Sequence, residues 1–356
     1  MLFRSPYYYL TATNQVVPNR DENVVNIDIG GGTTDLLVFA DQRPAFSSSF
    51  RFAGDDLWGD GYARVQGAPK QNGLLRLGVN HADALPSSEQ NQEYKGYLSA
   101  ALKNADFGSA DVTSLLFKYD DALRFSQSLT LGKGRQLRVL FYLHYTSIIY
   151  HTAQLVQQLG LKTPRYLCFS GKGSLYLRLL AGGSSLVAIE KITKAVFKAV
   201  TGTEPPQNFR VILADNPKEA TTNGGVLFEE KSSTSDYDQI THVKLTGTAQ
   251  PAEIGAARLK LQQVDADLKQ QVLDNVRSFL TLVLEGDEVV PLLREVGVDV
   301  DRQRVRDILL REIEDSLSLG LHQLQRQLSN DETLPETLFF YPLKQALYNL
   351  SRELQA

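Results

Sequence analysis

The sequence predicts an α/β protein, and three observations support that class. Short runs of the β-branched and apolar residues that favour strands alternate with turn residues. They occupy 24–29, 35–40, 45–52, 165–169 and 209–213. A long apolar pattern of helical type at 136–159 separates the first three runs from the last two. From Pro251 onward apolar residues recur every three or four positions, which indicates helices.

The composition excludes several classes of protein. The chain has 356 residues, 37 Lys and Arg against 41 Asp and Glu, and a net charge of -4. These values exclude a collagen-like or wholly disordered chain, and the length fits two or three domains. We predict no nucleic-acid partner, because phosphate backbones bind surfaces with an excess of Lys and Arg. The one cysteine, Cys168, excludes an intrachain disulfide and is typical of a small buried strand residue.

The sequence also predicts that the chain does not span a membrane. No apolar run reaches the roughly 18–20 residues that a transmembrane helix needs. The N-terminal residues lack the continuous apolar core of a signal peptide. We therefore expect a cytoplasmic protein, which agrees with the low cysteine content.

The first elements are predicted in close succession. The strand at 24–29 runs into three glycines, and a second strand occupies 35–40. Arg43 and Pro44 are expected in the turn before a third strand at 45–52. Gly54 then begins a helix for which an Asp is available as N-cap.

The remaining elements are predicted from periodicity and turn residues. Residues 60–135 are mixed in composition, with short helices such as 94–103. The helix at 136–159 is expected to end at Gly160. The later predictions are a helix reaching Val200 and capped by Ser184 or Ser185, a helix opened by Pro217, a loop at 231–238, a short strand at 239–245 and a helical segment at 251–356.

The motif with the most specific chemistry lies between the first two strands. It reads Asp28-Ile29-Gly30-Gly31-Gly32-Thr33-Thr34-Asp35. Consecutive glycines allow several backbone N–H groups to converge, and such a nest binds phosphate oxygens. An acidic residue just before the loop is placed to hold Mg²⁺ through water. The alternative is a hairpin turn without a ligand, but such a turn needs only one or two special glycines.

This octet resembles the second phosphate-binding loop of the actin/Hsp70/sugar-kinase ATPase superfamily and is closest to the Hsp70 version. Two later segments are similar to further motifs of that superfamily, in the same order. Residues 167–174, Leu-Cys-Phe-Ser-Gly-Lys-Gly-Ser, resemble its adenosine motif. Residues 216–226, Asn-Pro-Lys-Glu-Ala-Thr-Thr-Asn-Gly-Gly-Val, resemble its second connecting helix.

The resemblance implies a ribonuclease-H-like lobe of the actin/Hsp70 ATPase type, with a mixed sheet and an inserted subdomain. The lobe core would comprise 1–58 and 137–230, similar to subdomain IIA. The insert would be 59–136, similar to subdomain IIB. Residues 231–356 would form the C-terminal α-helical extension.

The resemblance also implies roles for individual residues. The β- and γ-phosphates of ATP would be held by Gly30, Gly31, Gly32, Thr33 and Thr34. Asp28 would be the catalytic residue, acting on Mg²⁺ through water, and Asp35 would support the loop. The nucleoside would be lined by Ser170, Gly171, Lys172 and Ser174. Ser170 and Lys172 depart from the common pattern, since many members have Gly at the position of Ser170.

The function implied is that of an ATP-binding lobe that couples binding and slow hydrolysis of Mg-ATP to lobe closure and to a partner. The superfamily's first phosphate loop and first connecting helix have no counterpart before Asp28. We therefore expect the second lobe of a longer protein, completed by a first lobe in the same or a separate chain, with weak or no ATPase activity on its own. Two alternatives stay open: a non-hydrolysing interaction module of the same fold, and a small-molecule kinase of the same superfamily.

Two weaker features also have alternatives. The apolar stripes of the C-terminal helices either pack on one another and on the lobe or form an exposed coiled coil that binds a protein partner. His144 and His151 lie seven residues apart on one helical face. That spacing favours packing over metal binding.

Overall fold

The protein is described from a computed structural model, which covers residues 5–63, 67–86, 88–183, 185–229, 240–249 and 259–355. The predicted loop at 231–238 lies outside these residues, as do Ser184, Gln239 and 251–258. The described residues form an α/β structure around a mixed sheet. The α/β class predicted from the sequence is therefore confirmed.

The sheet has the strand order β5-β4-β1-β2-β3-β6. Its strands are β1 (Val24–Ile29), β2 (Thr34–Ala40), β3 (Arg43–Phe50), β4 (Tyr166–Ser170), β5 (Arg210–Leu213) and β6 (Thr241–His242). The first three strands form an antiparallel meander. In contrast, β4 runs parallel to β1, β5 parallel to β4, and β6 parallel to β3.

The turn between β2 and β3 differs from the prediction. Arg43 and Pro44 belong to β3 and pair with Ala40 and Phe39. The turn is instead Asp41–Gln42, and both residues have positive φ, 51° and 61°. A two-residue turn of this kind matches the right-handed twist of the strands it joins, so it fixes the register of the hairpin. The strand accordingly begins and ends two residues earlier than predicted.

Helices cover both faces of the sheet, and accordingly β2 and β4 are apolar on both sides. One face, with Ile27 and Leu36, belongs to a large core that extends through the helices and the C-terminal segment. The opposite face, with Leu37, Phe39 and Cys168, packs against two helices near the N-terminus and after β5. Cys168 is fully buried, as predicted, and burial raises the pKa of its thiol.

The helices before β4 are mostly short, apart from one long buried helix. Their bounds are α1 (Ser5–Ala12), α2 (Gly54–Trp58), α3 (Gly73–Ala84), α4 (Glu89–Lys103), α5 (Ser109–Lys118), α6 (Asp120–Leu123), α7 (Phe125–Ser128) and α8 (Gly132–Gln158). Residues 137–156 of α8 are all buried, because helices from earlier and later parts of the chain pack around this helix. Helix α8 is thus the axis of the larger core.

The helices after β4 are α9 (Tyr176–Ala181), α10 (Val187–Thr201), α11 (Pro217–Glu229), α12 (Ala266–Glu285), α13 (Arg302–Gln325) and α14 (Tyr341–Gln355). Leu186 occupies the N-cap of α10 and no side chain caps it, so Ser185 does not have the predicted capping role. The described part of the C-terminal segment is interrupted at 286–301 and 326–340 and is less helical than predicted. No helix in the described residues has the length and apolar character needed to cross a membrane.

The C-terminal helices pack on the rest of the protein. The apolar stripe of α13, including Leu309, Ile313 and Leu317, is buried. Helix α14 contacts α13, α8, α3 and α2. The backbone N–H of Gly73 donates to the Ser351 hydroxyl (2.9 Å), which joins α3 to α14. The stripes are therefore buried by packing among the C-terminal helices and, through α14, on α2, α3 and α8, rather than remaining exposed.

Candidate functional site

The glycine motif forms a tight turn at one end of the sheet. The N–H of Gly30 donates to the carbonyl of Thr33 (2.9 Å), which closes the hairpin between β1 and β2. Gly31, Gly32 and Thr33 are exposed. Within the described structure, no hydrogen bond engages the backbone N–H groups of these three residues. Three donors are thus available on the outer side of one turn.

The turn itself does not require all of its glycines. None of Gly30, Gly31 and Gly32 has a positive φ. A Cβ on Gly32 would meet no atom within 4 Å, and one on Gly31 would make only an ordinary 3.4 Å contact with the Asp55 carboxylate. A Cβ would fit at both positions, so neither a positive φ nor a steric clash explains these glycines. Their absence of side chains leaves the N–H groups open to a ligand.

A second turn packs directly against the first. The Cα of Asp28 pairs with that of Ser170 at the adjoining ends of β1 and β4, so the residues after both strands meet. A Cβ on Gly173 would lie 2.3 Å from the Gly30 carbonyl oxygen. A Cβ on Gly171, whose φ is +80°, would lie 2.3 Å from both the Asp28 carboxylate and the Ile29 carbonyl oxygen. The approach of the two turns therefore requires glycine at both positions.

The start of α2 forms a third side of the site. The N–H of Gly54 donates to the carbonyl of Gly30 (3.1 Å), and the N–H of Asp55 donates to that of Gly31 (2.7 Å). The helix is capped by Asp56, whose carboxylate accepts from the N–H of Ala53 (2.9 Å). The prediction of an Asp N-cap is therefore wrong: Ala53 occupies the N-cap, and Asp56 lies inside the first turn and accepts from its backbone. The carbonyls of the glycine turn face the helix, and this contact fixes the turn.

Asp28 is half-buried beneath the two turns. Its carboxylate accepts a hydrogen bond from the Thr221 hydroxyl of α11 (3.1 Å). Its Cα pairs with that of Asp35 on β2. Burial is the main cause that raises the pKa of Asp28, and the nearby charge of Asp35 adds to it. The hydroxyls of Thr221 and Ser170 favour the ionised form and limit the rise.

The other predicted site residues divide into exposed and buried side chains. Lys172 is exposed and directly precedes Gly173, the residue that packs against Gly30. The hydroxyl of buried Thr34 donates to the Phe52 carbonyl (2.6 Å), and that of buried Ser174 donates to the Gly171 carbonyl (2.7 Å). Ser170 is also fully buried. Thr34 and Ser174 thus hold the turns in place, and contact of these residues with a nucleotide remains a prediction.

The two histidines of α8 lie in packed surroundings. His144 is fully buried behind α2, with Nε2 3.0 Å from the Ala53 carbonyl and Nδ1 3.0 Å from the Tyr176 hydroxyl. His151 is fully buried among aromatic rings, including Phe50 and Phe340. Across the described residues, no group of three or more His, Cys, Asp or Glu side chains is arranged to hold a metal. The predicted magnesium contact uses a single carboxylate and water, and it remains a prediction.

Three contributors to the site were not assigned roles from the sequence. Gly173 and Asp55 contact the glycine turn, and Thr221 binds Asp28. The local sequence marks the second turn and the start of α2, but not their contact with Gly30 and Gly31. Thr221 lies 193 residues from Asp28, so only tertiary structure brings the two together.

Comparison with known proteins adds no assignment. No protein-family model matches the chain, and no curated protein matches it. The geometry itself therefore defines what the site can do. The open N–H groups and the Thr33 hydroxyl are suited to anionic oxygens, and the second turn carries the exposed, positively charged Lys172.

Proposed function

We propose that the chain is the ATP-binding lobe of an actin-like or Hsp70-like ATPase, similar to the second lobe of that superfamily. The Gly30–Thr33 turn would hold the β- and γ-phosphates, and Asp28 would bind Mg²⁺ through water. The nucleoside would lie over the turn at 170–174. A first lobe, in the same chain or another, would complete the site and allow slow hydrolysis.

One observation carries the proposal. A Cβ would fit at Gly31 and at Gly32 and neither has a positive φ, yet both are glycine at an exposed turn with open N–H groups. A ligand that approaches the backbone closely accounts for this combination. The Thr33 hydroxyl and the Lys172 ammonium group fit a phosphate, because each is a hydrogen-bond donor.

The sheet order supports the same proposal. An antiparallel meander, β3-β2-β1, continues into β4 and β5, both parallel to β1. This is the arrangement expected for a ribonuclease-H-like lobe. The glycine turn lies at the carboxyl end of β1, and the second turn follows the carboxyl end of β4. Ligands of open α/β sheets commonly bind at such ends.

The proposal is tested by calorimetry of the whole chain with Mg-ATP, comparing wild type with Gly32→Val. We expect weak but saturable binding in the wild type, because the proposed phosphate cradle lies within this chain. Gly32→Val should reduce the affinity at least tenfold, since the side chain would cover the N–H groups without disturbing the fold. Thermal unfolding should confirm that the variant remains folded.

Gly183→Val provides the matched control, because a Cβ at this glycine would also meet no atom within 4 Å and its φ is not positive. It should bind Mg-ATP like the wild type. Absence of saturable binding in the wild type, or equal binding by folded Gly32→Val, would contradict the proposal.

A second candidate is a nucleotide-binding module of the same fold that does not hydrolyse ATP. The observation that favours it is the burial of Asp28 and its hydrogen bond to Thr221, which hold the carboxylate below the turn. The ATPase and the non-hydrolysing module are distinguished by phosphate release from Mg-ATP. It is measured for wild type and for Asp28→Asn, each in the presence of the first lobe that completes the site. Hydrolysis that depends on Asp28 supports the ATPase, whereas nucleotide binding without hydrolysis supports the module.

A further inference from the structure

A second concave site lies away from the glycine turns, between the start of α8, the end of α9 and the segment 294–299. Its volume is about 610 Å³, within the range of small-molecule sites. Three arginines, Arg135, Arg138 and Arg294, contribute to its walls. We call this cavity the arginine pocket.

Arg138 is the buried arginine of the pocket. Its residue surface is 7% exposed. Its Nη2 donates to the carbonyl oxygens of Val296 (2.9 Å) and Leu180 (3.0 Å), and its Nε donates to Val296 (3.3 Å). These partners are neutral, and no ion pair to Arg138 occurs within the described chain. A guanidinium cannot give up its proton in a protein, so a positive charge is buried here without an opposing carboxylate.

Two glycines leave space beside this charge. Gly182 and Gly297 both have positive φ, 73° and 67°, and end α9 and the short helix Val290–Val296. A Cβ on Gly297 would lie 3.1 Å from Nε of Arg138, and one on Gly182 would lie 3.9 Å from its Nη2. The backbone conformation accounts for glycine at both positions. Because both positions lack a side chain, neither covers the guanidinium of Arg138.

The charge around the pocket is positive. Arg135 and Arg294 are exposed, and neither makes an ion pair in the described structure. The positive charge of Arg135 also lowers the pKa of Arg138, second to burial, so the two charges act on the same space. Of the two acidic residues of the lining, Glu295 already pairs with Lys191 (2.7 Å), which leaves Asp299. Because the chain as a whole has a net charge of -4, the positive charge is confined to this part of the protein.

We propose that the arginine pocket binds a small polyanion through two or more phosphate or carboxylate groups. Guanidinium groups bind both kinds of oxyanion in bidentate geometry, which suits a ligand with several oxygens. The ligand would neutralise the buried charge of Arg138 and bridge the exposed Arg135 and Arg294. No residue of the pocket lining belongs to the glycine turns, so the arginine pocket is a separate site.

The test is calorimetry of the whole chain with inorganic pyrophosphate and, separately, with citrate, at physiological ionic strength. We expect saturable binding of at least one probe, and the better probe identifies phosphate or carboxylate as the preferred group. Arg135→Gln and Arg294→Gln should each weaken binding roughly ten- to a hundredfold, the effect of losing one charge-assisted hydrogen bond. Arg138 is left intact, because it also holds the carbonyls of Leu180 and Val296.

Two controls make the result specific. Arg76→Gln removes an exposed helical arginine that has no ion pair in the described chain, and it should bind the probes like the wild type. Gly32→Val should also retain binding, which separates this pocket from the glycine turns. The proposal is overturned if neither probe binds saturably, if the double variant Arg135→Gln/Arg294→Gln binds unchanged, or if Arg76→Gln loses binding equally.

Discussion

Gly171 is the residue at which the geometry of the glycine turns is most constrained. Its φ of +80° favours glycine, and a Cβ would lie 2.3 Å from the Asp28 carboxylate and the Ile29 carbonyl. Gly160, after α8, shares the positive φ (+64°), but a Cβ there would meet no atom within 4 Å. The two glycines thus share a positive φ and differ in steric contact, and Gly171 also has a ψ of 151°, which lies outside the left-handed helical region.

We predict that Gly171→Ala destabilises the protein more than Gly160→Ala. Gly160→Ala should cost about 1 kcal/mol, the strain of a left-handed alanine. Gly171→Ala should cost about 1–3 kcal/mol more, because the turns must separate to admit the methyl group and because its φ of 80° and ψ of 151° are a combination that is essentially limited to glycine. Urea unfolding of both variants measures the difference. Equal losses would show that the two turns do not approach as closely as described.

The sequence shows where the glycines of the two turns lie, but it does not show why each of these positions is glycine. Gly171 and Gly173 are required by contact with Ile29 and Gly30, whereas Gly31 and Gly32 are not required by any contact of the folded chain. The sequence presents all four as one kind of turn residue. The distinction depends on neighbours more than 100 residues away along the chain.

At the scale of the elements, helix α14 joins the C-terminal segment to the rest of the protein. The Ser351 hydroxyl accepts from the N–H of Gly73 and donates to the carbonyl of Tyr348 (2.7 Å), and the residue is buried. We predict that Ser351→Ala costs about 1–3 kcal/mol, because the Gly73 N–H becomes an unsatisfied buried donor.

Ser318→Ala on α13 is the control for Ser351→Ala. Its hydroxyl also bonds a carbonyl within its own helix (Glu314, 3.1 Å), but the site is exposed. This substitution should change stability by less than about 0.5 kcal/mol. Thermal or urea unfolding of the two variants decides the matter, and similar losses would show that α14 is not tied to α3 through this bond.

Elements with strong local patterns were predicted well, and elements defined by partners were not. Strand β1, helix α8 and the Pro217 start of α11 follow from their own residues. The Asp41–Gln42 turn was missed because Arg43 and Pro44 look like turn residues, and only pairing with Ala40 and Phe39 places them in β3. Helix α1 was missed because its tyrosine-rich sequence has no helical periodicity, and its packing against α11 accounts for it.

For the whole molecule, buried ionisable groups make stability depend on pH. Burial lowers the pKa of His144 to about 4 and that of His151 to about 3. Both histidines are then neutral in the folded state while the unfolded chain binds protons below about pH 6.5. The folded state is therefore most stable above about pH 6.5. It loses stability as the pH falls towards 4 and 3, because the unfolded chain gains protons that the buried histidines do not.

Asp56 acts in the opposite direction. Burial raises its pKa to about 6, although Lys344, 3.7 Å away, opposes the rise. A raised carboxyl pKa stabilises the protein below the unfolded value and loses this effect as the pH rises through 6. Asp28, whose pKa is also raised by burial, acts in the same direction as Asp56. The two histidine shifts exceed these carboxyl shifts, so we predict a net loss of stability between pH 6.5 and 4.

His151→Phe tests this prediction, because neither ring nitrogen of His151 has a hydrogen-bond partner in the described residues and its neighbours are phenylalanines. The variant should remain folded and lose less stability on acidification than the wild type. Melting temperatures from pH 7 to pH 4 measure both slopes. Parallel slopes would show that protonation of His151 does not oppose folding.

The features that follow from the amino-acid order alone are local: the α/β class, the runs that become strands, the long helix α8 and the glycine motif. These depend on residue propensities and on periods of two or about four residues, which neighbouring residues express without the rest of the chain. Tertiary contacts account for the rest. They placed α2 and the 170–174 turn against Gly30 and Gly31, joined Thr221 to Asp28, packed α14 on α3, and collected Arg135, Arg138 and Arg294 around one cavity. These contacts join segments that are far apart in the sequence. They form only when the sheet and both cores assemble, so local residue patterns do not predict them.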